Sequence, residues 1–236
     1  MRAILERAED RGHAQHGWLE SYFSFSFADY HNPNRMGFGA LRVLNDDTVA
    51  PGKGFDMHPH KNMEVISIPL KGSLHHRDSE GHQDMIRWGQ IQVMSTGTGL
   101  LHSEYNDDSL HEPLKFLQIW VIPNVLNTPP KYKVFDYLPF LKQNQFSLII
   151  SPDGDAPGSI RQDAWFSIGE LHHGVSTVYK LHRKDAGVYV FVLGGEVKVA
   201  DFELHARDGL GLSDVDTIDF TAEKNSTVLL IEVPMK

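Results

Sequence analysis

The chain has 236 residues, no cysteine and a formal charge of −9, with 41% hydrophobic and 22% charged residues. This is enough to build a real core in one large or two smaller β-domains, and it excludes a disordered chain. Without cysteine there is no disulfide framework or thiolate metal site, and an acidic chain with no basic run is not expected to contact nucleic acid directly.

The amino terminus, Met1 to Asp10, carries charges within its first ten residues and lacks the apolar core of a signal peptide, so it does not read as one. No apolar run reaches the ~18–20 residues of a membrane span, and a cytoplasmic protein is expected. Phe23, Phe25 and Phe27 alternate with Ser24 and Ser26, a one-sided aromatic stripe read as core whose edge could meet a flat apolar substrate. Strands are predicted at Gly39–Asn45, Glu64–Leu70, Ile91–Ser95 and Lys115–Ile122, then at Val188–Leu193, Glu196–Ala200 and Thr227–Val233. Turn signals separate them at Asn45-Asp46-Asp47, Lys71–Ser73, Ser79–Gly81, Gly194-Gly195 and Lys224-Asn225. Asp107-Asp108 also reads as a turn. No long helix-period segment competes, so an all-β sandwich or barrel is expected.

A faint internal repeat supports two barrels. Ile66–Gly72 is echoed by Val190–Gly195, and Trp88–Val93 by Asp208–Ser213, at an offset of about 120 residues. The seam falls in the proline-bearing stretch Pro123–Pro139, which predicts an N-terminal barrel over 1–135 and a C-terminal barrel over 136–236.

Histidine is unevenly placed. Ten of the 14 fall in residues 1–120, and seven of those lie between His58 and His111, which directs the search for a nitrogen–oxygen metal site. His58 and His60 are two apart, so on a strand both rings point the same way, and Glu64 shares their parity. Pro59 between them suits an edge strand or a barrel mouth. His102 and Glu104 repeat the i, i+2 spacing behind the turn at Gly97-Thr-Gly99. If the two strands face each other, three nitrogens and one carboxylate oxygen converge, leaving positions open for substrate and dioxygen. Strand parity admits either Glu64 or Glu104 as the carboxylate. Other clusters carry less chemistry. His75-His76 and His172-His173 are adjacent pairs whose side chains diverge, and both are expected to be exposed. Met57 and Met63 are out of phase with the histidines and are expected to pack behind the metal strand. Gly97-x-Gly99 lacks the strand–helix setting of a phosphate loop.

Gly52, His58, His60 and Glu64 resemble the first cupin motif, with Gly72 one residue late. Gly89, Gly97, His102 and Asn106 resemble the second, with Ser95 in place of the usual proline and extra residues before the histidine. The whole chain resembles the pirin family of bicupins, through Phe23-Ser-Phe-Ser-Phe-Ala-Asp29, His58-Pro-His60, Gly97-Thr-Gly99 with His102-Ser-Glu104, and Ser151-Pro-Asp-Gly154. The resemblance implies a ligand set of His58, His60, His102 and Glu104, with Glu64 as a nearby carboxylate that orients a ligand or substrate. It implies a quercetinase that opens flavonols with dioxygen and releases carbon monoxide, with Glu104 or Glu64 accepting the substrate proton. The ligand types favour Fe(II), with Ni, Co, Mn, Cu and Zn compatible with the same geometry. Two other readings share this ligand set: a pirin-like regulatory protein acting through a protein partner, with incidental quercetinase activity, and a non-oxidative cupin such as an isomerase. A monomer is expected. In the second barrel, Leu181 and Arg183 stand where the repeat would put His58 and His60, so no second metal site is expected.

Overall fold

The computed structural model describes residues 1–106 and 111–236; the turn expected at Asp107-Asp108 lies outside the described residues. The apolar, β-branched runs form strands close to where their alternation places them: Glu64–Lys71, Gln90–Ser95, Leu114–Val121, Ala186–Gly194, Glu196–Val199 and Ser226–Pro234. The first expected strand is displaced. It runs Leu41–Val49, straight through the Asn45-Asp46-Asp47 signal for a turn. Its two aspartates are accommodated by pairing, one on each face. Asn45 and Asp47 are buried inside the barrel, with Ser21 donating to Asp47, while Asp46 faces the other way toward Arg11 and Arg207 at 3.5 and 2.8 Å. Tertiary partners here override local turn preference.

Among the described residues the strands form two seven-stranded and two four-stranded sheets. In the first half the large sheet runs in the order Lys131–Asp136, Gln90–Ser95, Glu64–Lys71, Leu114–Val121, Leu41–Val49, Leu19–Phe23, Gly12–Gln15. Its companion has the order Gly54–His60, Leu100–Asn106, Ser73–Asp78, Gln83–Arg87. Val49, Leu114 and Phe116 of the large sheet pack on Leu74 and Ile86 of the small one. The second half repeats the plan, with the small sheet ordered Ser176–Lys180, Thr217–Ala222, Glu196–Val199, Phe202–His205, and a barrel interior filled by apolar residues such as Val188, Val190, Leu204 and Phe220. A third core lies between the halves, where Leu44, Ile66, Ile68 and Ile119 meet Phe166, Ile168, Phe191 and Ile231. The fold is all-β, two barrels in tandem.

The amino-terminal strand Arg2–Glu6 pairs with Gly209–Ser213 of the second half, although the expected 1–135 boundary groups it with the first. Leu5 packs on the second core, and the buried Glu6 carboxylate accepts from Tyr189 at 2.7 Å and pairs with Arg35 at 2.7 Å. Lys131–Asp136 fills the corresponding edge of the first half, beside Gln90–Ser95. Neither edge position is written in local periodicity. Among the described residues, no helix is long and apolar enough to cross a membrane.

Candidate metal centre

Three neighbouring strands of the first small sheet assemble the centre. His102 lies opposite His58 on one side and opposite Asp78 on the other, and Glu104 lies opposite His76. Alternation turns Leu100, His102 and Glu104 inward together. The Gly54–His60 strand carries a bulge against the interval from His102 to Glu104, so Phe55 and His58, three apart, both face in. Asp56 and Met57 take up the bulge and are exposed, Met57 at 52%. The expectation that Met57 packs behind the strand is therefore corrected; Met63 does pack, beside Val65 and Met94. Gly54 allows the pairing, because a Cβ there would stand 2.2 Å from the Glu104 carbonyl oxygen. At Gly97, with φ +45°, a Cβ would meet the Thr128 carbonyl at 1.9 Å, so the turn feeding His102 requires glycine.

The rings of His58, His60 and His102 converge, with centroids 4.4 to 4.9 Å apart. One nitrogen from each lies within 4.8 Å of the others. His58 Nδ1–H donates to the Asp56 carbonyl at 2.7 Å, which leaves Nε2 as its lone-pair donor. His102 is fully buried, and both of its ring nitrogens lack a hydrogen-bond partner. Burial, then the neighbouring His58 and His76, pushes its pKa down to about 3. His60 is pushed down to about 4 by burial, then by His102 and His58. Both imidazoles are neutral at pH 7, the form that ligates metal.

Glu104 is buried and held by side chains. Ser67 Oγ and Gln92 Nε2 donate to Oε1 at 2.9 and 3.4 Å, and Gln118 Nε2 donates to Oε2 at 2.6 Å. It forms a second donor group with His102 and His76, again within 4.8 Å. His102 is common to both groups. An unpartnered buried imidazole surrounded by further imidazole nitrogens and a carboxylate fits a divalent transition metal.

His76 corrects the expectation that both residues of the His75-His76 pair are exposed. It is fully buried, its Nε2 donates to Asp78 Oδ2 at 3.1 Å, and Tyr132 stacks on it at 4.5 Å. Asp78 also accepts from His82 Nδ1 at 2.9 Å and from the backbone N–H groups of Glu80 and His82 at 3.0 Å. The legible signal was His76-x-Asp78, an i, i+2 spacing like that of the two ligand pairs. His172 and His173 are exposed, as their adjacency led one to expect.

Glu64 belongs to neither donor group. Asn62, at φ 51°, sits in the turn that ends the His58–His60 strand, so strand parity does not carry across to Glu64. Its buried carboxylate accepts from Ser95 Oγ at 2.7 Å and from the Arg161 backbone N–H at 3.1 Å, tying the two halves together. In the second half, Leu181 is buried and Arg183 pairs with Asp163 and Asp185. His182 Nδ1 meets Glu232 at 2.8 Å under a stacked Trp165.

Beside the cluster opens a cavity of about 200 Å³, walled by Phe23, Phe27, Phe55 and Trp120 and reached by His58, His60 and Glu104. Trp120 meets His60 edge-on at 4.8 Å and Phe27 at 5.4 Å. The aromatic stripe is thus divided: Phe25 packs between the barrels against Tyr189, while Phe23 and Phe27 face the cavity.

The family profile described as Pirin matches residues 5–121, and that described as a quercetinase C-terminal cupin domain matches residues 148–233. The chain is 38% identical over 237 aligned residues to quercetin 2,3-dioxygenase of Escherichia coli (strain K12), covering 98% of each. It superimposes on the crystal structure of YhhW from Escherichia coli with a TM-score of 0.93, at 37% identity, over 99% of this chain and 98% of that one. The structure of bacterial pirin YhhW from Escherichia coli in complex with nickel(II) matches with a TM-score of 0.92 and 37% identity over 99% of each chain. Matched in sequence over nearly its full length and in fold through both barrels, the chain belongs to the pirin family and is a bicupin.

Proposed function

We propose that this chain is a metal-dependent dioxygenase that cleaves flavonols such as quercetin with dioxygen, releasing carbon monoxide. The observation that carries the reading is His102, buried with both nitrogens unpartnered beside His58 and His60, which themselves line an aromatic-walled cavity. The full-length similarity to a protein named quercetin 2,3-dioxygenase supports the ring-cleaving class. His58, His60, His102 and Glu104 would hold the metal. When bound, the metal supplies Lewis-acid polarisation of the substrate's enolic oxygen and a site at which dioxygen reacts. The nickel(II) complex of the Escherichia coli relative supports nickel as a candidate ion beside Fe(II).

The chain's own residues do the rest. Phe23, Phe27 and Trp120 offer faces and edges to a flat aromatic substrate and keep water from the reacting ring. Among the described residues, Glu104 is the carboxylate that belongs to a donor group and also lines the cavity, the position from which to accept the substrate hydroxyl proton. Ser67, Gln92 and Gln118 fix its orientation before substrate arrives. Glu64 is assigned no part, because its carboxylate is engaged at the seam between the halves.

The test is metal analysis of the purified protein followed by quercetin turnover under air and under nitrogen. Oxygen-dependent loss of quercetin with carbon monoxide release is expected. Loss of quercetin that needs no dioxygen would sink the dioxygenase reading. Stoichiometric metal without turnover would favour a metal-binding regulatory protein.

A further inference from the structure

Asn45 and Asp47 stand two apart on the Leu41–Val49 strand, turn to the same face and line the cavity beside the metal cluster. They are 2% and 3% exposed. Ser21, opposite Asp47 in the ladder, donates to Asp47 Oδ1. Asn45 Oδ1 is buried without a hydrogen-bond partner. Gln118 lies opposite Asn45 in the ladder, but its amide nitrogen donates to Glu104 and not to Asn45. A buried amide oxygen left unpaired is costly in the free protein, and the cost is relieved when a ligand brings a donor.

The chemistry of that donor can be read from the wall. Among the described residues no Lys or Arg lines the cavity, and Asp47 and Glu104 are both acidic, so an anionic group is disfavoured there. Ser21 donates to Asp47 Oδ1, which leaves Oδ2 beside Asn45 as a second oxygen able to accept. The walls reaching the pair are aromatic. A neutral O–H on a flat ring satisfies both requirements.

We propose that Asn45 and Asp47 form a hydroxyl-reading subsite, accepting hydrogen bonds from a phenolic hydroxyl of the substrate other than the one at the metal cluster. The inference rests on the flavonol reading and deepens it: the site selects polyhydroxylated flavonols over those that carry only the 3-hydroxyl. A site built to pair a hydroxyl discriminates strongly against the analogue lacking it, because its own polar groups then stay unpaired.

The experiment compares binding of quercetin and 3-hydroxyflavone to the Ni(II)-loaded protein under nitrogen, by titration calorimetry and flavonol absorbance. Wild type should favour quercetin by at least about tenfold. Asn45→Leu and Asp47→Leu, shown folded by thermal melting and loaded with equal metal, should bring the ratio toward one, with the loss falling on quercetin. No preference in the wild type would overturn the inference, whatever the variants do. A preference that survives in both folded variants would also overturn it. If neither compound binds, the flavonol reading falls and this inference falls with it; equal binding of both leaves the flavonol reading standing and removes the subsite alone.

Discussion

His102 lies directly across the antiparallel ladder from His58, and their ring centroids are 4.4 Å apart. The pair joins the His58-Pro59-His60 strand to the His102-Ser103-Glu104 strand, and every other donor of the centre is placed relative to it.

Removing His102 should empty the centre, since it is common to both donor groups. His102→Ala is expected to lower affinity for Ni(II) or Co(II) by at least about a hundredfold, more than is usual for loss of a residue that only supports a ligand. Metal content by mass spectrometry after dialysis checks this, with circular dichroism confirming the fold. Unchanged content would remove His102 from the ligand set.

Asp78 should matter for stability. Its buried carboxylate accepts from His76, His82 and two backbone N–H groups. Asp78→Ala leaves those donors unsatisfied and is expected to cost about 2–4 kcal/mol in urea unfolding of the metal-free protein. Asp78→Asn, which keeps acceptor capacity at one oxygen, should cost less.

The metal-free protein should show a histidine signature in its stability against pH. His60 is held down to about 4 in the folded state, against 6.5 for the free side chain. Between these values the unfolded chain takes up a proton that the folded one refuses, so this contribution is present above about pH 6.5 and is lost as pH falls toward about 4. His60→Gln removes it. The difference in stability between wild type and variant should therefore shift against the wild type on acidification, and a pH-independent difference would contradict the assignment.

Trp120 should govern substrate rather than metal. It meets both His60 and Phe27 edge-on and lines the cavity. Trp120→Ala is expected to raise the KM for quercetin by about tenfold through lost aromatic contact, with metal content retained. A fall in kcat with KM unchanged would place its role elsewhere.

Much of the centre was legible because its information is local. Two side chains at i and i+2 on one strand share a face whatever the strand packs against, so His58 with His60, and His102 with Glu104, could be paired from spacing alone. The same rule misled where the strand did not continue. Glu64 has the parity of His60, but the turn at Asn62 intervenes and its carboxylate meets Ser95 and Arg161 instead. Met57 is displaced by a bulge that appears only once its strand pairs with a neighbour.

The sequence by itself therefore determined the all-β class, the repeated barrel, the glycine turns and the two i, i+2 pairs of candidate ligands, since each follows from a period of two or from a backbone conformation that suits glycine. Only the tertiary structure decided which strands adjoin. That pairing brought His76 and Asp78 alongside His102 and Glu104, carried Arg2–Glu6 across to the second barrel, and buried Asn45 and Asp47 where a turn was expected. Strand adjacency is set by long-range burial and hydrogen bonding between segments far apart in the chain, and no local window contains it.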